Sequence, residues 1–163
     1  MGTRISRRRF MVLATNLAGA GITLLIAAPI VGEVLQPIFT RRSHPWVRVG
    51  DISQVPVGLP TAYVVQMPTT QAWKVPPVAR IVYVVKLNVG NQLQVLSLSN
   101  VCTHMQCDVH WDIDLQQFLC PCHGGFYSIT GTNVGGPPPK PLFRYQHKLA
   151  GETLYVRDRL TEA

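Results

Sequence analysis

Acidic residues are scarce in this chain: eight Asp and Glu stand against fifteen Lys and Arg in 163 residues. Such an excess of positive charge raises the question of nucleic acid, and its placement answers it. Residues 1–42 hold six of the basic residues and one acid, while the rest holds nine against seven. The basicity belongs to the N-terminal segment, the remainder is nearly neutral, and no nucleic-acid partner follows. An internal repeat is lacking, which argues against a repeat architecture. No glycine-rich phosphate loop is present, and no Ser, His and Asp fall in an order that suggests a nucleophilic triad. Beyond residue 45 no stretch keeps a 3.6-residue apolar period. Cysteine is rare too: there are four, all between residues 102 and 122.

Charge is missing altogether from Phe10 to Gly32, a run of 23 residues. A helix of that length crosses a hydrocarbon core of about 30 Å. We therefore expect a transmembrane anchor over residues 10–35, which Asn16 and Pro29 interrupt without excluding. Residues 1–9 form an arm whose Arg4, Arg7, Arg8 and Arg9 place it on the cytoplasmic side, with Arg41 and Arg42 as a weaker outer flank. Ser6-Arg7-Arg8-Arg9-Phe10 resembles the twin-arginine export signal, the alternative being a plain positive flank. Ala18-Gly19-Ala20 falls too early for cleavage and Ala27-Ala28 precedes Pro29, so a retained anchor is expected. Residues 36–45 read as a linker. Its bracketing prolines argue against a continuous helix, and fully extended it reaches at most about 36 Å.

The domain, residues 46–163, reads as strands. Arg80–Leu87 is rich in β-branched and aromatic residues, and Gln92–Leu98 partly alternates. Asn88-Val89-Gly90-Asn91 between them supplies turn chemistry, so the pair reads as a hairpin. Trp46–Val49, Ala62–Val65 and Thr153–Arg157 are further short strands, and the proline-containing residues 66–79 read as a surface loop. Short strands with Gly/Pro turns argue for an all-β fold, an antiparallel sandwich.

The chemistry sits at residues 102–123. Cys102-x-His104 and Cys120-x-x-His123 offer two thiols and two imidazoles, a ligand set for zinc or for a mixed-ligand [2Fe–2S] cluster. Cys107 and Cys122 lie close beside them, two thiols that a zinc site leaves without a role. His110 and His147 fall outside the pattern and read as surface or core residues, and Trp111 and Phe126 read as packing.

Residues 102–107 resemble the first box of Rieske proteins, Cys-Thr-His-x-Gly-Cys, and residues 120–127 the second, Cys-Pro-Cys-His-Gly-Ser-x-Tyr. Gly135-Gly136-Pro137-Pro138-Pro139 resembles the proline loop that follows. With the anchor, the resemblance is to the Rieske iron–sulfur subunits of cytochrome bc-type quinol:cytochrome c oxidoreductases. It implies that residues 102–142 form a cluster-binding subdomain inserted into a base. It also implies that Cys102 and Cys120 bind one iron of a Rieske [2Fe–2S] cluster and His104 and His123 the other. Cys107 and Cys122 are then a disulfide, His123 contacts the quinol, and Gly136, Pro137, Pro138 and Pro139 cover the cluster. The implied partners are a cytochrome b subunit, a c-type cytochrome, quinol and the lipid bilayer, in a dimeric multisubunit complex of a bacterial cytoplasmic membrane with the head on the outer side. The linker would be the hinge of that head. A Rieske subunit of another exported oxidoreductase, such as arsenite oxidase, is the alternative.

Two departures stand out. Gly125 occupies the place where high-potential members carry a serine that donates to a bridging sulfur, while Tyr127 keeps the tyrosine that donates to a ligand cysteine. One donor fewer predicts a potential well below the top of the Rieske range, roughly −150 to +300 mV. That favours menaquinol as substrate and predicts a rise on Gly125→Ser. Gln106 stands where the family has glycine, which puts the shape of the first loop in question.

Overall fold

The computed structural model describes residues 6–39, 44–68 and 76–161. Two compact units divide at Arg42. The first is a single helix, α1 (Arg7–Phe39), long and apolar enough to cross a membrane. Ser6 caps it: its carbonyl accepts from the Phe10 N–H at 3.0 Å and its hydroxyl from the Arg9 N–H at 3.4 Å. Thr15 and Thr23 return their hydroxyls to the carbonyls of Met11 and Gly19, both at 2.9 Å. Neither therefore presents an unpaired donor to an apolar surround.

The helix runs through Pro37, whereas the prolines had suggested a linker from residue 36. Pro37 has no N–H to give the Glu33 carbonyl, so one helical bond is lost there, and the helix ends two residues later. The linker's residues 40–43, including Arg41 and Arg42, and Arg4 of the arm lie outside the described residues.

The second unit carries ten strands: β1 (Val47–Asp51), β2 (Thr61–Met67), β3 (Val78–Val89), β4 (Gln92–Ser99), β5 (His110–Asp112), β6 (Gln117–Cys120), β7 (Gly125–Tyr127), β8 (Asn133–Gly135), β9 (Arg144–Ala150) and β10 (Thr153–Thr161). They form an antiparallel six-stranded sheet, β1-β10-β9-β4-β3-β2, and a four-stranded sheet, β5-β6-β7-β8, inserted in the chain between β4 and β9. Both ends of the expected 66–79 loop are strand: the ladder runs on through Gln66↔Ala79 and Met67↔Val78, and it buries Met67. The centre of that segment, 69–75, is outside the described residues.

β3 explains its own composition. Val82 and Val84 point into one core with Tyr145, Leu154 and Val156, while Tyr83 and Val85 point into another with Leu98, Phe118 and Leu142. A strand buried on both faces reads as a continuous apolar run rather than an alternating one. Gly90, at φ +60°, turns β3 into β4. The second core also takes in Cys102, Cys120 and Tyr127, so the loops that follow are rooted in the best-packed part of the domain.

Candidate metal centre

Two tight turns face each other. In the first, the Gln106 N–H donates to the Cys102 carbonyl at 3.0 Å, and the Cys102 N–H to the Cys107 carbonyl at 2.8 Å. In the second, the Gly124 N–H donates to the Cys120 carbonyl at 3.1 Å. Each turn thus closes four residues after a cysteine, and the closing residue has positive φ, Gly124 at +65° and Gln106 at +60°. The glutamine therefore sits in the left-handed region, which costs a side-chain-bearing residue about 1–2 kcal/mol. Gln106→Gly is expected to raise stability by about 0.5–1 kcal/mol after the extra chain entropy of glycine. Urea unfolding checks this, and a loss of stability would contradict the strain argument.

The turns wrap two sulfurs. Cys102 and Cys120 are free thiols only 1 % and 2 % exposed. Backbone N–H groups of His104 and Met105 reach the Cys102 sulfur, and those of Cys122 and His123 reach that of Cys120. Burial pushes the Cys102 thiol up, but the Tyr127 hydroxyl, those N–H groups and the neighbouring Cys120 thiol outweigh it, and its pKa falls. Burial and the Cys102 neighbour push Cys120 up. Tyr127 is pushed up to about 12 by burial and by its bond to Cys102, so it stays a donor.

The imidazoles lie outward. His104 and His123 are exposed, with ring centroids 5.0 Å apart and planes at 83°. Cys107 and Cys122 are joined by a disulfide, S–S 2.16 Å. The sulfurs of Cys107, Cys120 and Cys122 all lie within 4.8 Å of one another, yet two of them are bonded together and supply no thiolate. What remains as donors is two buried thiols ringed by N–H groups and two exposed imidazoles. That set fits a cluster with sulfur ligands inside and nitrogen ligands at the surface, and the disulfide accounts for the two thiols that zinc would not use.

Tyr127 ties the loops. Its hydroxyl lies 3.2 Å from the Cys102 sulfur and accepts from the Thr103 N–H at 3.1 Å, and the Thr103 hydroxyl donates to the Lys140 carbonyl at 2.6 Å. Nothing in the spacing of the boxes announced Thr103 or Lys140. The proline segment is seated by contact. Pro138 is buried between the exposed Pro137 and Pro139, and its carbonyl accepts from Asn133 at 2.5 Å. A Cβ at Gly125 would stand 2.6 Å from the Pro138 Cγ, and one at Gly136, φ +82°, would stand 2.2 Å from the Gly124 carbonyl oxygen. His110 is exposed, and Trp111 packs edge-on against Phe118 at 4.9 Å.

The sequence profile of the Rieske [2Fe-2S] domain matches residues 45–146. A menaquinol:cytochrome c reductase iron-sulfur subunit of Geobacillus thermodenitrificans is 30% identical over 158 residues, covering 94% of this chain and 91% of the relative. A cytochrome b6-f complex iron-sulfur subunit of Chlorobaculum thiosulfatiphilum is 28% identical, covering 95% of this chain and 77% of the relative. Among solved structures, the plasma membrane Rieske protein of Synechocystis PCC 6803 superposes with a TM-score of 0.50 at 27% identity, over 68% of this chain and 97% of that one.

Proposed function

The chain belongs to the Rieske [2Fe–2S] family and, within it, to the iron–sulfur subunits of cytochrome bc-type complexes, and from that premise we propose that it relays single electrons from a quinol to a c-type cytochrome. Its cofactor is a Rieske [2Fe–2S] cluster. When bound, this cluster supplies reversible one-electron chemistry at a potential that histidine ligation raises above that of all-cysteine clusters. Cys102 and Cys120 hold one iron as thiolates, and His104 and His123 hold the other through ring nitrogens. The observation that carries the assignment is the split in burial: both thiols are buried and both rings exposed. Water is kept from the sulfurs, while the rings stay open to a reactant held by another subunit. His123 would hydrogen-bond the quinol hydroxyl through the ring nitrogen not used for iron.

Menaquinol is the favoured quinol. Gly125 brings no hydroxyl to the site, so Tyr127 is the side-chain donor left of the two expected, and the potential lies below the upper end of the family range. The helix α1 anchors the subunit with Arg7, Arg8 and Arg9 on the cytoplasmic side and the β domain outside. The test is purification of the native complex. Its spectrum should show b and c haems, menaquinol should reduce the c haem, and titration should give a midpoint well under +300 mV. A midpoint at that limit, or a preparation without b haem, overturns the reading.

Two variants probe the tuning. Tyr127→Phe removes a donor to a thiolate; if about 1.4 kcal/mol of that bond belongs to the reduced state, the midpoint falls by roughly 60 mV. A change under a quarter of that would mean the hydroxyl favours neither state. Gly125→Ser alone forces Pro138 off its seat and should lower the melting temperature rather than simply raise the potential. Gly125→Ser with Pro138→Ala gives the hydroxyl room, and there the midpoint should rise.

A further inference from the structure

Strands β1, β10 and β9 present a face that neither core uses. Cross-strand partners share a face, and the register sets Arg48, Tyr155 and Lys148 in one row across the three strands. A second row on that face pairs Arg157 with Gln146, and Trp46, just before β1, lies beside it. The row between them holds Val47, Val156 and His147, and Val156 and Val47 pack into a core on the other side. Water reaches the outer face: Trp46 is 36 % exposed, Arg48 and Lys148 are exposed, and Tyr155 and Arg157 are half-buried. The Lys148 Nζ lies 4.8 Å from the Trp46 ring centroid and 5.7 Å from that of Tyr155, and the Arg157 guanidinium lies 4.7 Å from that of Trp46. At these distances the rings attract and hold the cations. Among the described residues no carboxylate forms an ion pair with Arg48, Lys148 or Arg157. Asp51, which attracts Arg48 from a distance, accepts from Ser53, and Asp158 acts on the buried Tyr145.

We propose that this face rests on an anionic lipid surface, with Arg48, Lys148 and Arg157 among the head groups and Trp46 at their depth. Cations without carboxylate partners, set beside exposed aromatic rings, have the composition of a membrane-interface surface. The charges attract anionic head groups, and tryptophan and tyrosine settle at the boundary between polar and apolar layers. Helix α1 is long and apolar enough to cross a membrane, and Trp46 follows its last residue, Phe39, by seven positions. This contact is separate from the electron relay and does not depend on it.

The experiment uses the full chain with its cluster, reconstituted in phosphatidylcholine vesicles with and without phosphatidylglycerol, part of the lipid carrying bromine on its acyl chains. Bromine quenches tryptophan emission at close range, and α1 contains no tryptophan. Comparison with Trp46→Phe isolates the Trp46 share of the emission. That share should be quenched in the anionic vesicles, less so in the neutral ones, and should recover as salt is added. Each cation near an anionic surface contributes a factor of roughly five. Arg48→Gln combined with Lys148→Gln should therefore lower the ratio of lipid-bound to free heads about 25-fold. Both side chains are exposed, so the double variant keeps the fold. Absence of Trp46 quenching, equal quenching in neutral vesicles, or quenching unchanged in the double variant overturns the proposal. So does a Trp46 signal that changes only in the native complex, which would assign the face to an acidic protein subunit.

Discussion

Gly136→Ala is expected to unseat the proline loop and lower the stability of the β domain by about 3 kcal/mol or more. Two costs combine. The residue has φ +82°, a left-handed conformation that alanine adopts at about 1–2 kcal/mol. Its new Cβ would also stand 2.2 Å from the Gly124 carbonyl oxygen and 2.9 Å from the Gly125 Cα, and both are backbone atoms that cannot rotate aside. Thermal unfolding of the full chain should fall by roughly 10 °C. Gly90→Ala is the control. Gly90 has φ +60° but no atom within 4 Å of its would-be Cβ, so it carries the conformational cost without the collision. Equal losses in the two variants would show that the loop is not seated by this contact. A larger loss at Gly136, together with faster release of iron, would show that the segment holds the second cluster turn in place.

What the sequence made legible here is local. Both cysteine–histidine turns span five residues, and their ligand spacing is written in consecutive positions. β3 was legible because its centre, Val82 to Val85, is buried on both faces and must be almost wholly apolar. By contrast β5, β7 and β8 have three residues each, too few to display a period of two, and they exist because their neighbours pair with them. β9 buries only Tyr145 and leaves its apolar Leu149 and Ala150 exposed, and its pairing with β10 rather than its composition makes it a strand. The helix ends two residues past Pro37, so the proline marked the end of the helix to within one turn. The meaning of Gly125 shows the limit most plainly. Read alone, it is a missing hydroxyl that lowers a potential. In the fold it is also the gap into which Pro138 packs, and a contact between residues thirteen positions apart on separate turns has no signature in either stretch. Gln106 is the converse: the residue type looked wrong for its place, and the backbone does take the left-handed conformation that glycine would adopt more easily.

Replacing both Cys107 and Cys122 with serine should have an effect of similar size through the unfolded state. The bridge spans 15 positions, and closing a ring of that length removes unfolded-state entropy equivalent to about 3 kcal/mol. The folded state loses something as well. The Cys107 carbonyl accepts the Cys102 N–H, and the Cys122 N–H reaches the Cys120 sulfur, so the bridge joins the two residues that fix the ligand cysteines. Cys107 is partly buried against the core while Cys122 is exposed, which leaves the second turn the freer of the two once the link is gone. The double variant is the clean one. With Cys107 alone replaced, the Cys122 thiol would remain within 4.8 Å of Cys120 and could bond to it, removing a ligand by a different route. Urea unfolding of the double variant should show a loss near 3 kcal/mol, and iron content should fall after overnight dialysis while the wild type keeps its own. A loss under about 1 kcal/mol, with iron retained, would mean that packing of Cys102, Cys120 and Tyr127 against Phe118 and Leu142 holds the two turns together without the bridge.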